Sequence, residues 1–79
     1  MPKFPVDAPI ERVLCALQAL GFQIVRRGSH VSLARTLTDG TFATMTIPGH
    51  RFIKSSTLRT ALQQAGISRD AFLQAYERC

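Results

Sequence analysis

The stretch Phe22-Gln23-Ile24-Val25-Arg26-Arg27-Gly28-Ser29-His30-Val31-Ser32-Leu33-Ala34-Arg35 decides how the 79-residue chain folds. It holds two short runs with a period of two, separated by a Gly-Ser pair. In the first run Phe22, Ile24 and the stem of Arg26 alternate with Gln23, Val25 and Arg27, the pattern of a strand with weak two-sided character. Gly28-Ser29 supplies the turn. In the returning run Val31 and Leu33 point one way while His30, Ser32 and Ala34 point the other. His30 therefore faces away from the apolar pair. Thr38-Asp39-Gly40 marks a second turn, and Phe42 to Ile47, rich in threonine and large apolar residues, reads as a third strand ended by Pro48-Gly49. The three strands predict an antiparallel meander.

Helical periodicity flanks this centre. Ile10, Val13, Leu14, Leu17 and Leu20 recur at three and four residues and place one apolar stripe on a helix. Asp7 is the expected N-cap, Pro9 fits the first turn, and Gly21 fits the C′ position. On the other side Ser55 or Ser56 is expected to cap a helix with Leu58, Ala61, Leu62 and Ala65 on one face, stopped by Gly66. Ser68 caps a last short helix whose Phe72, Leu73, Ala75 and Tyr76 fold back on the others. The order predicts a single α+β domain over residues 1–79, with no repeat or linker. Its three-stranded antiparallel sheet has helices on one face, and the other face is solvated, carrying Ser and Thr with basic residues at its rim. The α-β-β-β-α order with a C-terminal helix is shared by double-stranded-RNA-binding domains, although fold by itself does not establish function.

Folding a chain this short buries only about 60–65% of the surface its extended form exposes, so the core is small. At 46% hydrophobic residues the composition is globular, not disordered. No run approaches the length of a membrane span, and Met1-Pro2-Lys3-Phe4-Pro5 lacks an apolar signal-peptide core, which predicts a cytoplasmic protein without membrane contact. Cys15 and Cys79 have neither metal-binding spacing nor the look of a disulfide framework, and they are expected to be unpaired, chemically quiet residues. Charge is more informative. Arg26, Arg27, Arg35, Arg51, Lys54 and Arg59 stand against the single Asp39 between residues 26 and 59, so this segment holds the entire net charge of +5. A partner rich in phosphates prefers that middle segment, whereas the bland reading is a solvated basic face.

Candidate chemistry is narrow. There is no phosphate-cradling glycine loop, no HExxH, no paired-carboxylate site and no Cys/His metal spacing. Ser29 and His30, as neighbours on a strand, point to opposite faces, which argues against a Ser-His-Asp hydrolase. What remains is histidine beside arginines, with no cofactor or metal expected. That set suffices for RNA, because RNA brings its own nucleophile, the 2′-hydroxyl. A protein then only has to move protons, which a histidine does near neutral pH, and neutralise charge, which arginines do. On the residues alone His30 is either such a proton-transfer group or an ordinary surface strand residue. His50, after Pro48-Gly49, is a second proton-transfer group, a phosphate contact or a plain loop residue. Arg26, Arg27, Gly28, Ser29, Arg51 and Lys54 are the candidate RNA contacts.

The order of short motifs resembles the HicA (YcfA-like) toxins, the RNA-cutting halves of bacterial type II toxin–antitoxin pairs. The resemblance runs through Leu20-Gly21-Phe22, Gly28-Ser29-His30, Thr46-Ile47-Pro48-Gly49-His50, Thr57-Leu58-Arg59 and Gln64-Ala65-Gly66-Ile67-Ser68-Arg69-Asp70-Ala71-Phe72-Leu73. It implies a double-stranded-RNA-binding-like fold, metal-independent cleavage of mRNA, catalysis by the histidine of Gly-Ser-His, here His30, and a HicB-type antitoxin partner. Three positions depart from the family pattern: Val31 where many members carry a second histidine, Ser56 where glycine is frequent, and an extension over Met1 to Asp7. The alternative to an endoribonuclease is a non-catalytic RNA-binding module on the same fold.

Overall fold

The computed structural model describes residues 3–79. Its elements, in chain order, are β1 (Asp7–Pro9), α1 (Ile10–Ala19), β2 (Gln23–Arg27), β3 (His30–Thr36), β4 (Phe42–Pro48), β5 (Phe52–Lys54), α2 (Ser55–Gln64) and α3 (Arg69–Glu77). The antiparallel meander is there, in the order β2-β3-β4, and a second, two-stranded sheet pairs β1 with β5. The fold is α+β, with the α-β-β-β-α order and a C-terminal helix.

The β1–β5 pair was not legible because three-residue strands offer only one inward residue each, here Ala8 and Ile53, both buried. It changes how two helices begin. Asp7 is not an N-cap, since it lies in β1; Pro9 is the N-cap, and no side chain caps α1. Neither Ser55 nor Ser56 caps α2, which starts from Lys54. The first amide of each helix is satisfied by the opposite strand's chain instead. The Ile10 N–H donates to the Arg51 carbonyl and the Ser55 N–H to the Val6 carbonyl, both at 2.9 Å. Strand pairing thus does what capping side chains do elsewhere. At α3 the expected cap is present, with the Ser68 hydroxyl accepting from the Ala71 N–H at 3.1 Å. Gly21 leaves α1 at φ +96°, a left-handed conformation for which glycine is the natural residue.

The core lies between the sheet and the helices. Val31 and Leu33 of β3 pair with Ile47 and Met45 of β4, and all four are buried. Leu14 and Leu17 of α1, Leu58 and Leu62 of α2, and Phe72, Leu73 and Tyr76 of α3 close over them in one continuous apolar cluster. Burying each large side chain of this kind contributes roughly 1.5–3 kcal/mol. Phe4, ahead of the first strand, is also buried and lies 6.1 Å, ring to ring, from Phe72.

The cysteines correct the sequence reading. Cys15 on α1 and Cys79 after α3 form a disulfide across a separation of 64 residues, with their Cα atoms 6.0 Å apart. Spacing along the chain carried no sign of it, because the docking of α3 on α1 is what brings the two together. Both residues are exposed.

Candidate functional site

A β-bulge between Ile24 and Arg26 sets the geometry of the site. Ile24 pairs with Leu33, Arg26 with Ser32, and Arg27 with Val31. The extra residue, Val25, reverses the alternation half-way along β2. Arg26, expected with its stem beside Ile24, falls instead on the open face with Ser32. Arg27, expected on the open face, turns to the side of the sheet that faces the helices. The two adjacent arginines therefore serve different surfaces.

On the open face Arg26, Gly28, Ser29, His30 and Ser32 line one depression of about 250 Å³. His30 is exposed at the start of β3 and pairs with Pro48 of β4. Around the sheet edge Arg27, Gly28, Gly49 and Arg51 line a second depression of about 360 Å³ together with Pro9, Ile10, Glu11 and Val31. Here the Arg27 guanidinium makes a two-pronged ion pair with Glu11 of α1, Nη1 donating to Oε1 at 3.3 Å and Nη2 to Oε2. The hydrogen bond and the charge of Arg27 hold the Glu11 carboxyl below its ordinary value, and Glu11 in turn raises Arg27. Glu11, outside the basic segment in sequence, sits among the basic residues in space.

Two turns are clasped together beside His30. The Gly49 N–H donates to the Ser29 carbonyl at 2.9 Å, and the Gly28 N–H donates to the His30 carbonyl at 3.1 Å. A Cβ on Gly49 would overlap the Gly28 carbonyl oxygen and stand 3.0 Å from that of Ser29. Only glycine permits this approach of backbone to backbone. Gly-Ser-His and Pro-Gly-His, separate in sequence, are thus one structural unit, with His30 on one strand of it and the exposed His50 just beyond the other. The model for the family described as "HicA toxin of bacterial toxin-antitoxin" matches residues 10–67, well over half of the chain. The chain belongs to the HicA toxin family. No curated protein and no solved structure matches it.

The HicA match spans α1 through α2 and contains both clasped turns. Membership implies a toxin–antitoxin system and hence an antitoxin partner. Phe4, β1 and α3 lie outside the match, and Phe4 packs against α3 through Phe72. Within the HicA region the basic middle segment does not act as one surface. Arg35 turns inward from β3: its guanidinium lies 4.8 Å from the Phe22 ring centre and Nη1 donates to the Leu20 carbonyl at 3.2 Å. Arg59 lies over Phe4 at 5.1 Å. Lys54 is exposed at the far end of β5 from Arg51, opposite Asp7, and lines neither depression. Among the candidate contacts, then, Arg26, Gly28 and Ser29 share a depression with His30, Arg27 and Arg51 share the neighbouring one, and Lys54 joins neither. Sequence reading missed Glu11 and Gly49. Glu11 gave no signal because its partner is 16 residues away, and Gly49 because the close approach it permits is to a distant turn. No three His, Cys, Asp or Glu side chains gather into a metal-binding cluster among the described residues, and none of their helices is long and apolar enough to cross a membrane.

Proposed function

We propose that this HicA-family toxin is a metal-independent endoribonuclease of mRNA, with His30 as its general acid–base, working in the cytoplasm under the control of a HicB-type antitoxin. The observation that carries the reading is the placement of His30. It stands exposed in a depression with Arg26, on backbone clasped by the Gly49–Ser29 hydrogen bond.

The chemistry needs no more than this. Imidazole nitrogen takes the proton of the 2′-hydroxyl as the 2′-oxygen attacks the adjacent phosphorus. The bond from phosphorus to the 5′-oxygen breaks, and the imidazolium returns its proton to that leaving oxygen. The products are a 2′,3′-cyclic phosphate and a 5′-hydroxyl, with no co-reactant consumed. General acid–base help of this kind contributes about 10²–10⁴-fold. Arg26 neutralises the phosphate as charge develops, an interaction strengthened when the partner is ionised. Arg51 and, when released from Glu11, Arg27 hold the strand as it passes around the sheet edge, and the backbone of Gly28 and Ser29 shapes the floor between the two depressions. His50 follows the clasp and is the second proton-transfer candidate.

An antitoxin that covers His30, or sets carboxylates against Arg26 and Arg51, excludes phosphates from the site. The test is cleavage of a defined RNA by purified protein in chelator. Wild-type protein cleaves and His30→Ala does not, while both stay folded. Tight, salt-sensitive binding by wild-type protein without turnover would assign the chain to non-catalytic RNA binding instead.

A further inference from the structure

The open face of the β2-β3-β4 sheet continues well past His30. Register places His30, Ser32, Ala34 and Thr36 of β3 beside Pro48, Thr46, Thr44 and Phe42 of β4 on this face, with Gln23 and Arg26 of β2 on the other flank. Beyond the depression that holds His30 and Arg26 lies another on the same face, of about 300 Å³, lined by Gly21, Gln23, Val25, Ala34, Thr36 and Phe42. Together they form a track along β3. From His30 to Thr36 it runs six residues, about 20 Å at the usual strand rise.

Its chemistry is graded. Small side chains, Ser32, Ala34, Thr44 and Thr46, leave the middle shallow, with hydroxyls and the Gln23 amide for hydrogen bonds. At the far end Phe42 and Val25 are each 69% exposed, an uncommon placement for a phenylalanine on a sheet that has a core to fill. Among the described residues no carboxylate falls on the face, and Arg26 is its one formal charge. A flat aromatic ring at the end of a cation-bearing, hydroxyl-lined track fits the faces and backbone of an unpaired nucleic-acid strand, whereas a duplex hides its base faces inside its own stack.

We propose that this face binds single-stranded RNA, with one base stacked on Phe42 while the scissile phosphate lies at His30 and Arg26. The inference rests on the ribonuclease reading and extends it: it assigns the substrate class as unpaired RNA and Phe42 as a binding residue remote from the chemistry. Val25 supports the same base from the bulge, and Gln23 reaches the base edges or sugars between.

The test uses full-length protein and fluorescently labelled RNA in which every 2′-hydroxyl is O-methylated, so that binding is read without cleavage. Affinity is expected to rise along a series from dinucleotide to octanucleotide until the strand reaches Phe42, and then to level off. Phe42→Ala weakens the long members by roughly 5- to 150-fold, the usual loss for one base–aromatic stack. It leaves the dinucleotide unchanged. Phe42→Tyr keeps the affinity, Phe42→Leu loses much of it, and Val6→Ala, at an exposed residue off this sheet, has no effect. On cleavable RNA the same Phe42→Ala change raises KM for long substrates more than it lowers kcat. Equal affinity for a blunt duplex of the same length, or binding of the octanucleotide that is indifferent to Phe42→Ala, overturns the proposal. Either result leaves the cleavage assay with His30→Ala free to stand. Conversely, Phe42-dependent binding with no cleavage of unmodified RNA would remove the ribonuclease reading and keep the single-strand track.

Discussion

Replacing Gly49 with alanine separates this structure from any account based on motifs alone. The added methyl would overlap the Gly28 carbonyl oxygen and press on the Ser29 carbonyl, and both obstacles are backbone, so no side chain can swing away. The turn must open. Opening it gives up the 2.9 Å bond from Gly49 to Ser29, worth about 1 kcal/mol net, and adds a strain of roughly 1–3 kcal/mol typical of an overpacked contact. A total of about 2–4 kcal/mol lowers Tm by roughly 10–25 °C for a chain of this size. Because the strain falls on the pairing of His30 with Pro48, cleavage of RNA falls further than stability does. The control is Gly28→Ala. A Cβ at Gly28 meets nothing within 4 Å, and this glycine has no positive φ, so the change alters Tm by less than about 2–4 °C. The pair is measured by calorimetric melting and by RNA cleavage at a temperature where every variant is folded. If Gly49→Ala melts and cleaves like wild type while Gly28→Ala is damaged, the clasped-turn reasoning is refuted.

Further outcomes follow from the ion pair, the disulfide and the core. Glu11→Gln frees Arg27, so binding of single-stranded RNA tightens at low salt and the slope of log K against log salt steepens by about 0.7; an unchanged slope would show that Arg27 never reaches phosphate. Since the folded Glu11 carboxyl is held below its usual value of 4.5, the stability it lends is present above that pH and is lost as pH falls through the depressed folded value. Acid melts of wild type and Glu11→Gln therefore converge at the acidic end and differ near neutrality, and parallel curves would count against the pair. Reducing the Cys15–Cys79 bridge, which closes a loop of 64 residues, lowers stability by about 4 kcal/mol in the chain-entropy view, read as a Tm difference with and without dithiothreitol. Equal Tm values would mean that the bridge does not form. Phe72→Ala, at a fully buried ring between Phe4 and Tyr76, costs about 3–5 kcal/mol in denaturant melts, and a loss under 1 kcal/mol would contradict its place in the core.

Residues that repeat with a clear period were readable without coordinates. Of the stripe Ile10, Val13, Leu14, Leu17 and Leu20 the first four are buried and Leu20, just past the end of α1, is half-buried, while the pair Val31 and Leu33 and the foursome Phe72, Leu73, Ala75 and Tyr76 are buried as their spacing required. So were the outward placement of His30 and the meander itself. Features that depend on residues far apart in the chain were not readable. The bulge at Val25 exchanges the faces of Arg26 and Arg27 because one unpaired residue inverts a period of two, and nothing local marks where that residue falls. The caps expected from Asp7 and from Ser55 or Ser56 are absent because the β1–β5 pair moves both helix starts, and the Arg51 and Val6 carbonyls, next to the paired strands, accept from the first amides of α1 and α2. The charge map located the basic segment correctly in sequence, but Arg35 is spent on Phe22 and Leu20, and Arg27 on Glu11. The disulfide appears only once α3 is docked.

The central claim is that His30 moves protons while the RNA's own 2′-hydroxyl attacks. It is tested most directly by incubating purified protein in chelator with an RNA and with the same RNA carrying a single 2′-deoxy residue at each cut position. The account predicts that wild-type protein cuts the first to fragments ending in 2′,3′-cyclic phosphate, that the deoxy sites are left intact, and that His30→Ala loses at least about 100-fold in rate while melting like wild type. Cutting at the deoxy sites, or undiminished cleavage by His30→Ala, would contradict it.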